Sequence, residues 1–239
     1  MKTCVVAGGS RNLGKHIVKN LARHGNRVIF TSSSYPNVYN TMADLQQENI
    51  IGIKCDHQKI KDIEYLVERE PKVDILINNF AVSGGYKSFR DVSKDDIIRI
   101  VMNNLIGNML TTKIFLDRYP DIDIFNIVGA GSDGSATPYY SVYGSTKCAI
   151  TQFTKSLYRE GYENIHLLSP GMMQTDLLME GTPEYLHNIF DVICEDSNVI
   201  AAKIVPDVLD IHNKKKKRQY MRYINPLTIA SKIIKQFKI

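Results

Sequence analysis

Of the chain's 13 tyrosines only Tyr143 has a lysine four residues on, Lys147. On a helix, positions i and i+4 share a face, so the ammonium lies near the phenol. A free phenol has a pKa of about 10, too high for acid–base work at neutral pH. A neighbouring cation lowers it and makes the phenol a usable proton donor to a carbonyl oxygen. Upstream, Ser132 and Ser135 lie in a glycine-rich stretch, Gly129-Ala130-Gly131-Ser132-Asp133-Gly134-Ser135. A hydroxyl aimed at the same oxygen would stabilise charge as it develops there. A second kind of chemistry sits near the start, in Gly8-Gly9-Ser10-Arg11-Asn12-Leu13-Gly14. Glycines at a strand-to-helix turn let the backbone approach a pyrophosphate, whose charge then rests on the helix N-terminus. Each motif also has a bland reading, as a helix-surface pair or an ordinary glycine turn.

These residues need elements to hold them, and the hydrophobic pattern supplies a strand–helix alternation. Strands are expected at 3–7, 27–32, 50–55, 73–78, 122–128 and 164–168, with a seventh at 219–224. Helices are expected at 13–24, 38–48, 60–69, 93–116, 143–159 and 198–211, and a last short one opens at Pro226. Apolar, β-branched strands separated by helices imply a parallel sheet covered on both faces. Right-handed crossovers then give one α/β domain over 1–239, a doubly wound (Rossmann) fold with a mostly parallel six- or seven-stranded sheet. Ligands bind such sheets at the carboxyl ends of the strands. The loop after the sixth strand, rich in Met172, Met173, Leu177, Leu178 and Met179, suits a large apolar substrate or its own packing.

The 30 cationic and 25 acidic side chains leave a net charge of +5, and the run Lys214–Arg218 accounts for all of it. The basic balance is therefore one local cluster, expected as a solvated turn and a weak argument for nucleic acid. The tail Lys232–Ile239 is amphipathic and basic. The four cysteines form no CxxC pair, so reduced thiols and no metal site are expected. No apolar run approaches the roughly 18 residues that span a bilayer. With no visible secretory signal, a cytoplasmic chain is the expectation.

Taken together, the glycine loop, Asn78-Asn79-Phe80-Ala81, Asn104, Tyr143/Lys147 and Ser169-Pro170-Gly171 with Thr175 resemble the motif order of the short-chain dehydrogenase/reductase family. The segments Gly129–Ser132, Val142–Lys147 and Ser169–Leu178 are similar to its chlorophyll b reductase branch. That branch reduces a formyl group with NADPH. The resemblance implies Tyr143 as proton donor, Lys147 as its partner and ribose ligand, and Asn104, with Asn103 adjacent in register, behind a water relay. The family's serine register falls on Ala130, so Ser132 is the candidate, with Ser135 second and no serine a third option. Gly8, Ser10, Arg11, Asn12, Leu13, Gly14, Ser32, Ser33, Asp56, Asn79, Ala81, Tyr143, Lys147, Pro170, Gly171 and Thr175 are the implied cofactor residues. Asn12 and Phe80 depart from the family pattern.

The second strand ends in Thr31-Ser32-Ser33-Ser34 with no acid before Asp44, and Arg11 can face a 2′-phosphate, which favours NADP(H). The leading expectation is an NADPH-dependent carbonyl reductase acting on a small-molecule aldehyde or ketone, as a homodimer or homotetramer, without nucleic acid. A rival from another class is a non-catalytic NADP(H)-binding sensor or scaffold on the same fold. An RNA-associated protein using the lysine run is a third, marked by steep salt dependence.

Overall fold

The computed structural model describes residues 1–223. Its strands are β1 (Thr3–Ala7), β2 (Arg27–Ser32), β3 (Ile50–Lys54), β4 (Ile75–Asn78), β5 (Asp123–Ile127), β6 (Ile165–Ser169) and β7 (Tyr220–Arg222). They form one seven-stranded sheet in the order β3-β2-β1-β4-β5-β6-β7, with every pairing parallel. The order reverses between β1 and β4, the place where the carboxyl ends of an open sheet leave a crevice. β1 and β4 are buried along almost their whole length, which is why Cys4–Ala7 and Ile75–Ile77 run apolar instead of alternating, whereas the equally buried β5 carries Asp123 and Asn126, each hydrogen-bonded inside.

The helices are α1 (Asn12–Arg23), α2 (Tyr35–Leu45), α3 (Ile60–Arg69), α4 (Lys94–Val101), α5 (Gly107–Arg118), α6 (Ser141–Arg159), α7 (Asp176–Met179), α8 (Glu184–Ile193) and α9 (Ser197–Asn213). One core lies between the sheet and α1 with α9, where Phe30, Ile77 and Phe125 meet Ile17, Leu21, Ile204 and Val208. The other lies between the sheet and α3, α5 and α6, around Ile29, Leu76, Leu66, Phe115 and Leu157. Each fully buried side chain of this size contributes about 1.5–3 kcal/mol relative to exposure. These two layers hold the strand ends still, so loops at one edge can carry chemistry.

Three elements differ from the sequence expectation. The long helix expected over 93–116 is α4 and α5 separated by one π-helical turn, Met102–Ile106. α5 buries mostly small and polar residues, Gly107, Asn108, Thr111 and Thr112 with Phe115, so it has no apolar stripe whose phase could reveal the inserted residue. The Met-, Gly- and Pro-rich stretch after β6 contains α7 and is followed by α8, which was not expected. α8 carries Leu186, Ile189, Phe190 and Ile193 at helical spacing on one face, a pattern the sequence expectation omits, although only Phe190 is buried. β7 is three residues long. The helix expected from Pro226 and the tail Lys232–Ile239 lie outside the described residues. Among the described residues no helix is long and apolar enough to cross a membrane.

Candidate active site

A cleft of about 900 Å³ opens at the carboxyl ends of the strands, over the β1–β4 reversal. Its floor at one end is the β1–α1 loop. Gly8 has a φ of 77°, and a Cβ there would fall 2.7 Å from Phe80 Cα. Only glycine fits that left-handed, close-packed position. Asn12 is left-handed too, at φ 44°, a conformation that asparagine tolerates better than most residues. Its Nδ2 donates to Asp176 Oδ2 at 3.0 Å, joining the glycine loop to the start of α7. Asn79 Nδ2 donates to the Gly8 carbonyl at 2.7 Å and fixes the loop from the β4 side. Gly8, Ser10, Arg11, Asn12 and Leu13 all line the cleft. Gly14 does not: it lies under the loop, where a Cβ would collide with the Gly8 carbonyl and the Asn79 amide.

At the β2 end the lining includes Ser32, Ser33 and Asp56. Arg11 is exposed and makes no ion pair among the described residues. Asp44, the first acid after β2, is tied to Lys15 and does not line the cleft. An unmatched guanidinium beside hydroxyls fits a phosphate. The cradle at Gly8 fits a backbone-bound pyrophosphate.

At the other end Tyr143 and Lys147 rise from the first turns of α6. Lys147 is buried; its Nζ lies 5.6 Å from the Tyr143 ring centroid and donates to the Ile127 carbonyl at 3.0 Å. Burial pushes its pKa down to about 8. The expectation that Lys147 draws the phenol down is not met in this geometry. Burial, and then the Tyr140 phenol, hold the Tyr143 phenol above its ordinary value. The ammonium sits over the ring and bonds to Ile127 instead of facing the hydroxyl. Tyr143 remains partly accessible from the cleft, so its proton is held yet reachable.

The loop after β5 lies flat on the start of α6. Gly131, at φ 81°, approaches so closely that a Cβ would lie 2.8 Å from Gly144 Cα. A Cβ on Gly129 would lie 3.1 Å from the Tyr143 hydroxyl. Ser132 is buried in a turn closed by its N–H donating to the Gly129 carbonyl at 3.0 Å, and it lines the cleft. Its hydroxyl makes no hydrogen bond among the described residues. The exposed Ser135 hydroxyl donates to Asp133 at 2.6 Å. Ala130, at the family's serine register, is exposed on the rim.

Asn104 sits in the π-turn and is buried beneath the cleft, not on its wall. Its amide clamps the loop after β4, accepting from Val82 N at 2.8 Å and donating to Val82 O at 2.9 Å and Thr146 Oγ1 at 3.2 Å. Asn103, its neighbour, reaches the cleft. Ala81, Pro170, Gly171 and Thr175 line it as well. The Thr175 hydroxyl accepts from Leu178 N at 3.4 Å and caps α7.

Several lining residues were not singled out from sequence. Tyr140 donates from its hydroxyl to the Leu178 carbonyl at 2.9 Å, and Ser83 to the Leu177 carbonyl at 3.1 Å, so both fasten the segment after β6 over the cleft. His57 is buried against Phe80, with ring centroids 4.4 Å apart. Gly8 N–H donates to Thr31 Oγ1, Thr31 Oγ1 lies 2.7 Å from His57 Nε2, and His57 Nδ1 lies 2.9 Å from Thr111 Oγ1. Thr111 in turn donates to the Gly107 carbonyl. The chain closes with a neutral imidazole carrying its proton on Nδ1, and burial pushes the His57 pKa down to about 4. No short-range sequence signal marks these partners. Among the described residues no group of His, Cys, Asp and Glu is placed to hold a metal ion.

A doubly wound parallel sheet with a glycine cradle at its strand-order reversal defines a dinucleotide-binding type of α/β fold. Residues 2–185 match the family model described as short chain dehydrogenase, and the chain belongs to that family. It is 33% identical over 250 residues to the probable chlorophyll(ide) b reductase of Arabidopsis thaliana, covering 92% of this chain and 50% of that protein. It is 32% identical to a chlorophyll(ide) b reductase of Oryza sativa subsp. japonica, covering 96% of this chain and 73% of that one. The chain thus spans about half the length of the first of these relatives. In fold it is similar to the 3-ketoacyl-(acyl-carrier-protein) reductase of Brucella melitensis complexed with NADH, at a TM-score of 0.81 and 19% identity, covering 95% and 98% of the two chains.

Proposed function

We propose that this protein is an NADPH-dependent carbonyl reductase acting on a large apolar aldehyde or ketone. The observation that carries the reading is the cleft itself. At one end it joins a glycine cradle to an unmatched Arg11. At the other, a protonated Tyr143 phenol lies beside a buried Lys147 ammonium and a free Ser132 hydroxyl. Gly8, Asn12 and the α1 N-terminus would hold the pyrophosphate, and Arg11 with Ser32 and Ser33 the 2′-phosphate. When bound, the reduced nicotinamide supplies the hydride. The carbonyl oxygen of the substrate faces Tyr143, which gives it a proton. Ser132 donates a hydrogen bond to that oxygen as its charge grows. Lys147, which lines the cleft behind the ring, would hold the ribose hydroxyls of the cofactor. Asn104 acts through the Val82 segment and the Thr146 hydroxyl, keeping α6 in register with the cleft.

Met172, Leu177, Leu178 and Tyr140 give the substrate end an apolar wall. That wall, together with the likeness to two chlorophyll(ide) b reductases, supports a formyl group on a large ring system, such as that of chlorophyll b, as the group reduced. The test is NADPH oxidation by the full chain against aldehydes and ketones that include formyl-porphyrins. Turnover of formyl compounds above small aliphatic aldehydes is expected. Tight NADPH binding without turnover of any carbonyl compound would favour the sensor reading instead.

A further inference from the structure

The cationic run before β7 is largely matched within its own domain. Lys214 and Lys216 reach Asp210 at 2.7 and 2.6 Å, and Lys217 and Arg218 both pair with Glu163. Lys215 is the exception. Its backbone is left-handed, at φ 50°, and it lines a cavity of about 380 Å³. This cavity lies at the amino-terminal edge of the sheet, where β1 begins and where the chain enters β4 and β5, so it is at the opposite edge from the catalytic cleft.

Lys2 and Lys72 line the same cavity. Lys72 pairs with Asp74 at 3.0 Å, and the other Asp74 oxygen accepts the Thr3 N–H at 2.8 Å. Lys2 and Lys215 have no ion pair among the described residues. The only other acid on the wall is the exposed Asp121. The deepest polar group is His212, whose side chain is 5% exposed. Its Nδ1 lies 2.6 Å from the buried Asp123 carboxylate, which also meets His166 Nε2 at 3.1 Å. Nδ1 is thereby committed as a donor. The opposite nitrogen, Nε2, has no hydrogen-bond partner among the described residues. It is not sealed from solvent, and His212 lines the cavity, so an acceptor nitrogen is available to a ligand there.

We propose that this cavity binds a phosphate group, free or carried as a phosphate monoester. Lys2 and Lys215 supply unmatched ammonium donors, and Lys72 supplies a third. His212 Nε2 shares a proton with an acidic phosphoryl oxygen, because Asp123 fixes the other ring nitrogen. The three lysines exceed Asp74 and Asp121 by one positive charge, which a phosphate monoanion offsets, and the monoanion is the form whose P–OH proton His212 accepts. Sulfate, which has no proton to share at neutral pH, fits the ammoniums but not the histidine.

The test is calorimetric titration of the full chain with inorganic phosphate, with glycerol 3-phosphate and with sulfate. Three proteins are compared: the unmodified chain, Arg11→Ala, and the double variant Lys2→Ala/Lys215→Ala. Arg11→Ala removes the exposed, unmatched guanidinium at the cofactor end of the cleft, and the two lysine changes are at an exposed Lys215 and a half-buried Lys2, neither of which makes an ion pair among the described residues. Saturable phosphate binding that persists in Arg11→Ala, weakens about tenfold or more in the double variant and exceeds sulfate binding is the expected result. Comparison of the two phosphate ligands decides between the free anion and the ester. Absence of saturable binding, binding lost in Arg11→Ala, or binding unchanged in the double variant would each overturn the proposal. None of these outcomes depends on reductase activity.

Discussion

Replacing Lys147 with methionine should make the protein more stable while removing its activity. The ammonium is buried and its pKa is pushed down to about 8, against an ordinary lysine value of about 10.4. Between those two values the unfolded chain binds the proton and the folded chain does not, so stability rises with pH across that window. At pH 7 both states are charged, and the folded state carries the full desolvation cost. A depression of about 2.5 units at about 1.36 kcal/mol each puts that cost at roughly 3 kcal/mol. Methionine fills nearly the same space without charge. It gives up the hydrogen bond to the Ile127 carbonyl, a loss of about 1 kcal/mol at a cleft wall that water can reach. The net gain is about 2 kcal/mol, or roughly 4–8 °C in Tm for a chain of this size. Urea unfolding of both proteins from pH 7 to 10.5 checks the reasoning. The variant's advantage over the unmodified chain should be largest at pH 7 and narrow as pH rises above 8, a difference in which the opposing effect of the buried Cys4 and Cys55 thiols, common to both proteins, cancels. A Lys147→Met protein less stable than its parent at pH 7 would refute the desolvation argument.

Arg11→Ala should remove most of the preference for NADPH over NADH, because the 2′-phosphate loses the unmatched guanidinium that lines the cleft with Ser32 and Ser33. Comparable dissociation constants for the two cofactors in the unmodified protein would contradict the assignment. Ser132→Ala should lower kcat by about 10²–10³ with NADPH affinity unchanged, the usual effect of losing one donor to a developing oxyanion. Ser135→Ala, whose hydroxyl is already given to Asp133, should do much less. His57 is held neutral in the fold with its pKa near 4, below its unfolded value of about 6.5. Protonation therefore favours the unfolded chain as pH falls from 6.5 to 4, and about 3 kcal/mol of stability should be lost across that interval. His57→Gln should flatten that part of the stability–pH curve, and an unchanged slope would show that other groups cause it.

The parallel sheet was legible because its buried strands leave continuous apolar runs, as in Cys4–Ala7 and Ile75–Ile77. The Tyr143/Lys147 pair was legible because helical spacing alone puts the two residues on one face. The glycine loop showed through its residue types, and the structure adds that Asn12 takes left-handed backbone where a glycine is usual. What the sequence hid is contact at long separation. Asn12 meets Asp176, Asp123 meets His212, and His57 meets Thr31 and Thr111, all through side chains whose partners no local pattern names. The π-turn was hidden because α5, which follows it, buries mostly small and polar residues and has no apolar stripe to fall out of phase. The direction of the Tyr143 shift was misread because spacing shows that a cation is near. It does not show that the ammonium bonds to Ile127, nor that the phenol is desolvated.

The central claim is that the Tyr143 hydroxyl delivers the proton in a carbonyl reduction. The direct measurement is NADPH oxidation by Tyr143→Phe on the best carbonyl substrate of the unmodified protein, paired with NADPH titration of both. The account predicts that turnover is abolished while the NADPH dissociation constant stays within about threefold, since the ring and its packing remain and only a proton donor is gone. Near-normal turnover by Tyr143→Phe would contradict it.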